Sequence, residues 1–92
     1  MIEGFGNKDT AKVFEGEYSK KFEAIKDVAV RKLTMIAAAK KLEDLQAPPG
    51  NRLEPLKGNR VGQHSIRIND QFRICFVWKN GNAQDVEIVD YH

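Results

Sequence analysis

From Pro55 onward the chain alternates apolar and polar residues with period two, and before Pro48 it does not. Ile66 and Ile68 alternate with Ser65 and Arg67. Phe72, Ile74, Phe76 and Trp78 alternate with Arg73, Cys75, Val77 and Lys79, and Val86 and Ile88 continue the even parity. Strict alternation marks strands with one buried face. In the first half, Ile25, Val28, Ala29, Leu33, Ile36 and Ala37 recur at helical spacing, with Lys26, Arg31 and Lys40 off the stripe. This predicts a helix over 24–40. A shorter helix is predicted from an N-cap at Asp9 to near Gly16, and Leu42 and Leu45 extend the long helix or form a separate turn. The polar stretch 17–21 is unpatterned and expected to be mobile. Ile2–Phe5 suits a short edge strand, and Pro48-Pro49-Gly50 closes the helical half. Helices followed by an antiparallel meander predict an α+β fold, N-terminal helices on a twisted antiparallel sheet, in one domain over 1–92.

Register follows from parity. Facing residues on paired strands share a face, so strands whose apolar sets are all even-numbered need loops of odd length. Three-residue loops at Asn69–Gln71 and at Asn80-Gly81-Asn82 satisfy this. The face away from the helices then collects Ser65, Arg67, Arg73 and Tyr91, with Arg67 directly opposite Arg73. Like charges across a strand pair repel, so two facing arginines without an intervening carboxylate predict that an anion lies between them.

The composition is that of a folded domain, 41% hydrophobic and 30% charged. The net charge of +2 is a weak argument for nucleic acid, but its distribution is stronger. Between 52 and 79, Arg52, Lys57, Arg60, Arg67, Arg73 and Lys79 face only Glu54 and Asp70. Cys75, the one cysteine, allows no internal disulfide and reads as a buried apolar filler consistent with a reducing compartment. No signal-like segment and no stretch near the ~18 apolar residues of a membrane span is present, which predicts a cytoplasmic address and no membrane partner. His64 has inward parity and reads as a hydrogen-bonded core or rim histidine, and Trp78 as core. His64, His92 and Cys75 share no metal-ligand spacing, so neither metal nor other cofactor is expected. Phosphate loops, nucleophile elbows and dinucleotide fingerprints are absent from the sequence.

The residues on the basic face suit metal-free phosphodiester cleavage. There the ribose 2′-hydroxyl attacks the adjacent phosphorus, which needs a base, an acid for the leaving 5′-oxygen, and cations for charge building on the phosphoryl oxygens. Arg67 and Arg73 match phosphate oxygens with guanidinium forks. Lys57 and Arg60 sit in a Gly-containing turn able to close on a backbone. An unperturbed imidazole changes charge near neutrality, which makes His92 a candidate acid or base; Tyr91 is a second proton carrier, and Glu54 is a further candidate base.

The run from Leu56-Lys57-Gly58-Asn59-Arg60 through Ser65-Ile66-Arg67-Ile68-Asn69-Asp70-Gln71-Phe72-Arg73, ending on Asp90-Tyr91-His92, closely resembles the HigB-type toxins of the RelE/ParE-like superfamily, also called plasmid maintenance killer proteins. The resemblance implies a microbial-ribonuclease (RelE-like) fold and the toxin of a bacterial toxin–antitoxin pair. It implies a metal-independent enzyme that enters the 30S A site of the ribosome and cuts mRNA there. A helix-turn-helix antitoxin would neutralise it, and through that antitoxin the complex would hold operator DNA. By position, Lys57, Arg67 and Arg73 would bind the scissile phosphate, and Asp90, Tyr91 and His92 would form the catalytic end. Some members of the family carry histidine where this chain has Glu54, which leaves the acid/base assignment open. Two rival readings remain: a toxin of the same fold directed at DNA gyrase, and a non-catalytic module whose arginine face binds nucleic acid or a partner.

Overall fold

A computed structural model describes residues 1–91. Two helices, α1 (Lys8–Phe14) and α2 (Lys26–Ala38), precede four strands: β1 (Glu54–Pro55), β2 (Gln63–Arg67), β3 (Phe72–Lys79) and β4 (Asn82–Asp90). The strands form one antiparallel sheet in sequence order, as expected for a meander.

The first helix begins earlier than its predicted cap. Asn7, not Asp9, is the N-cap: its Oδ1 accepts from the Thr10 amide and the Thr10 hydroxyl, both at 2.8 Å. Asp9 instead accepts from Ser19 Oγ at 3.0 Å. That bond fixes the stretch expected to be mobile, where Ser19 is buried and leads into a 3-10 helix, Lys20–Ile25. Phe22 from this turn meets Phe72 edge-on, with ring centroids 5.8 Å apart. A 3-10 turn presents a single residue inward, too little for a period to show in sequence. The long helix is correspondingly shorter than predicted, starting at Lys26. Leu42–Gln46 forms a separate 3-10 turn, with Asp44 Oδ2 accepting from the Lys40 and Lys41 amides. A further turn at Pro49–Asn51 leads to β1.

Ala29, Leu33 and Ile36 of α2 pack with Val13, Phe22 and Leu45 against Ile66, Ile68, Ile74, Phe76, Ala83, Val86 and Ile88 of the sheet. Burial of this apolar layer is the main term holding the fold together. His64 is half-buried and stacks on Phe76, but its Nδ1 has no hydrogen-bond partner among the described residues. Ring packing, not the expected hydrogen bond, holds it.

The first hairpin has the predicted register, with Arg67 opposite Arg73. The second does not. Lys79 pairs with Asn82, so the loop is the two residues Asn80-Gly81, with φ of 55° and 79°. Two successive left-handed residues make the turn that best matches strand twist. The parity conflict is resolved further along: the ladder shifts between Cys75 and Val77, and Asp85, at φ 51°, occupies the bulge. One extra residue in β4 lets both Ala83 and Val86 face the core.

The chain's first residues cover the free edge of β4, running parallel to it through bridges Ile2–Ala83 and Phe5–Val86. Glu3 N donates to Ala83 O and Gly6 N to Val86 O, each at 2.8 Å, and Ile88 N donates to Thr10 Oγ1 at 2.9 Å. The edge therefore offers no long unpaired ladder to another chain.

Candidate nucleic-acid site on the second sheet face

The strand register lines up Glu54, Ser65, Cys75 and Glu87 across the sheet, with Arg67, Arg73 and Val89 in the neighbouring row. All of them point away from the helices.

Arg73 is the centre of this face. It is buried, and its guanidinium is held on one side only. Nε donates to Ser65 Oγ at 2.8 Å, and Nη2 donates to the carbonyl of Arg52 at 2.6 Å and more weakly to that of Ser65 at 3.4 Å. Arg52 reaches it by adopting a left-handed backbone, φ 47°. Glu54 Oε1 lies 3.7 Å from Nη2. Nη1 makes no hydrogen bond to the described residues, and the Tyr91 ring stands 5.9 Å from the guanidinium carbon. Among the described residues the fork is fixed along its Nε/Nη2 edge, and its Nη1 has no acceptor.

The expectation of two arginines with no carboxylate between them is corrected. Arg67 pairs with Asp70 from the hairpin loop, and Arg73 has Glu54 from β1. Charge balance is reached through carboxylates on neighbouring segments, invisible to a cross-strand argument. Asp70 is 99% exposed, so its bond to Arg67 is open to water and exchange.

Arg60 is committed elsewhere. Its Nη1 donates to Glu87 Oε1 at 2.7 Å and to Gln63 Oε1 at 3.1 Å, and the Glu87 carboxylate raises its pKa further. It ties the Gly58–Arg60 turn to β4 and is not held out toward solvent as a phosphate ligand would be. Lys57, one residue before that turn, is exposed at its start. Cys75 lies fully buried in this face, where desolvation raises its thiol pKa against the opposing pull of Arg60 and Arg73.

Tyr91 N donates to Gln71 O at 2.6 Å, which extends the β3–β4 pairing and sets Tyr91 beside Arg73. Asp90 Oδ2 accepts from Gln71 Nε2 at 3.0 Å. His92 lies outside the described residues. Of the candidate site residues, the fold gathers Glu54, Arg73 and Tyr91, places Arg67 one strand over from Arg73, and leaves Lys57 on the adjoining turn. Among the described residues no three His, Cys, Asp or Glu side chains converge as metal ligands. A cleft of about 340 Å³ lined by Val13, Tyr18, Lys26 and Val30 belongs to the helical layer and shares no residue with this face.

Three participants escape a reading of strand parity alone. Ser65 is legible as a polar residue on this face, but not as the anchor of Arg73. Glu87 is the anchor of Arg60. Lys32, buried on α2, stands at a stripe position three residues after Ala29 and four before Ile36, and a charge on a buried stripe is the signal that finds it.

The sequence pattern of the RelE-like toxins of type II toxin–antitoxin systems, HigB group, is matched by residues 3–92. Toxin HigB-1 of Vibrio cholerae is 47% identical over 60 residues, covering 65% of this chain and 63% of that protein. Endoribonuclease HigB of Proteus vulgaris is 44% identical over 41 residues, 45% of each chain. The matches thus span less than two thirds of these relatives. In fold, the chain superposes over its whole length on 98% of a chain in the YoeB–YefM complex from Staphylococcus aureus, with a TM-score of 0.58 at 17% identity.

Proposed function

Because the chain belongs to the RelE-like HigB toxins of type II toxin–antitoxin systems, we propose that it is a metal-independent endoribonuclease that cuts mRNA in the ribosomal A site and so inhibits translation. The observation that carries this reading is the guanidinium of Arg73, buried and clamped on one edge, with no hydrogen bond from Nη1 to the described residues and the Tyr91 ring 5.9 Å from its carbon.

In this mechanism the scissile phosphate lies on Nη1 of Arg73, where a preorganised donor in a partly desolvated site stabilises charge on the phosphoryl oxygens as the 2′-oxygen attacks. Lys57 approaches the same phosphate from the adjoining turn, and Arg67 exchanges Asp70 for backbone phosphate. Tyr91 and His92 share acid/base duty with Asp90 as part of the catalytic end, and Glu54 contributes as base at the edge of the Arg73 fork. Arg60 holds the turn that carries Lys57. The protein partner is an antitoxin of helix-turn-helix type, through which the complex holds operator DNA, in the bacterial cytoplasm. Among the described residues no helix is long and apolar enough to cross a membrane.

Cleavage of mRNA on programmed ribosomes tests the proposal. Arg73→Ala is expected to reduce cleavage by about 10²–10³-fold, the usual cost of removing a preorganised charge-stabilising donor. Wild-type cleavage by that variant would overturn the site. Gyrase inhibition without any RNA cleavage would overturn the activity.

A further inference from the structure

We infer that Lys32, Arg31 and Arg67 form a second phosphate subsite beside the one on Arg73, taking a neighbouring phosphate of the same RNA strand. The inference rests on the RNA-cleaving reading and extends its site around the edge of the sheet onto α2.

The observation is a buried ammonium that no carboxylate of the described residues neutralises. Lys32 is only 8% exposed, and among the described residues no carboxylate lies within ion-pair distance of its Nζ. Its one hydrogen-bond acceptor is Oδ1 of Asn51, a residue with no exposed surface. The amide cannot turn round, because its Nδ2 donates to the carbonyls of Leu45 at 3.2 Å and Ala47 at 3.3 Å. Its oxygen is thereby fixed toward Lys32. An amide holds an ammonium in place but leaves its charge intact.

Such an arrangement is costly. Burial penalises an ammonium that lacks a carboxylate, and at a stripe position between Ala29 and Ile36 a methionine or leucine would fill the space without that penalty. The cations around Lys32 deepen the cost. Its pKa is lowered first by burial and then by the charges of Arg31 and Arg67. The same three charges that disfavour one another would all favour an anion placed against them. The carboxylate paired with Arg67, Asp70, is almost fully solvated.

Position says which anion. Arg67 is the cross-strand neighbour of Arg73, about 5 Å away between Cα atoms at such a pairing. A polyanion lying on Arg73 meets Arg67 next and then the field of Lys32. Arg31, next to Lys32 in α2, is exposed, and its charge acts on Lys32. An acidic segment of a protein partner would also be attracted, but it would not share the track that begins at Arg73.

The test is equilibrium binding of a 2′-O-methyl single-stranded RNA, which is bound without being cut, measured by anisotropy across a salt series. Lys32→Met removes the charge and keeps the stem. Arg31→Gln tests the same subsite from an exposed position that does not bear on folding. Each is expected to weaken binding and flatten the dependence of log affinity on log salt, by up to about 0.7 for the loss of one single-strand phosphate contact. Lys32→Arg is expected to restore the slope. Unchanged slopes in both Lys32→Met and Arg31→Gln overturn the subsite, as does a loss of affinity that follows melting temperature and not charge. Weakened antitoxin binding with unchanged RNA binding overturns it too, assigning the cluster to protein contact. Failure here is separable from failure of the cleavage reading. Cleavage on the ribosome by Arg73→Ala tests the cleavage reading, and the salt slopes of the Lys32 and Arg31 variants test the subsite whether or not cleavage occurs.

Discussion

A guanidinium buried among strands needs acceptors for its N–H groups, and Arg73 finds them in Ser65 Oγ and in the carbonyls of Arg52 and Ser65. What these neutral groups leave over is the positive charge itself, which Glu54 at 3.7 Å offsets in part and which the proposed phosphate on Nη1 would offset further. Glu54 therefore has two effects that a substitution separates. Its charge competes with phosphate for Arg73, and its oxygen is placed to take a proton. Glu54→Gln is expected to bind RNA more tightly yet cleave on the ribosome about 10²-fold more slowly, the lower end of what a general base contributes. Tighter binding with undiminished cleavage would leave Glu54 as a counter-ion only. Parity made Ser65, Arg67, Arg73 and Tyr91 legible as one face, because side-chain direction in a strand depends only on position. It gave no access to Glu54 and Asp70 as partners of the arginines. Those contacts depend on a two-residue strand and a hairpin loop, whose placement is decided by tertiary packing.

Among the elements, the main helix, the meander, the first short helix and the edge segment Ile2–Phe5 matched expectation, whereas the 3-10 turn at 20–25 and the β3–β4 register did not. The main helix and the β2–β3–β4 meander each bury several residues on one face, so their periods stand out from the sequence. The 3-10 turn holding Phe22 buries one residue and leaves no period. At the β3–β4 hairpin the competing rules were turn chemistry and parity. Parity was applied at the loop, whereas the chain keeps the two-residue Asn80-Gly81 turn and absorbs the odd residue in a bulge at Asp85. The turn geometry can be tested through backbone strain. A Cβ at Gly81 would have space, 3.7 Å from the carbonyl of Lys40, but φ is +79°. Gly81→Ala is expected to cost about 1–2 kcal/mol in urea unfolding, the left-handed penalty for a residue with a Cβ. Asp85→Gly, at the left-handed bulge, is expected to be neutral or slightly stabilising. A Gly81→Ala variant as stable as wild type would contradict the two-residue turn.

Across the whole molecule, one sheet face buries hydrocarbon under the helices while the other holds fixed cations, and Lys32 of α2 is bound to Asn51 in the turn that packs on β2. Its uncompensated charge is a standing penalty on the fold, and this has a definite pH signature. Because its folded pKa is lowered below 10.5, the penalty is fully present below the folded value. Between that value and 10.5 the unfolded chain holds a proton that the folded one has released, so stability rises with pH through that window. Cys75 acts in the opposite sense: burial raises its thiol pKa above 9.0, so the unfolded chain ionises first and stability falls as pH passes that value. Wild type alone would show the two trends superposed. Lys32→Met retains the Cys75 contribution and removes only that of Lys32. The stability of wild type minus that of Lys32→Met, from urea midpoints between pH 7 and 10, is therefore expected to climb toward alkaline pH. Added RNA should flatten that climb, since a phosphate on the cluster supplies the counter-charge that the fold withholds. A difference constant with pH would mean that Lys32 carries no burial penalty, and the energetic case for an anion beside it would be gone.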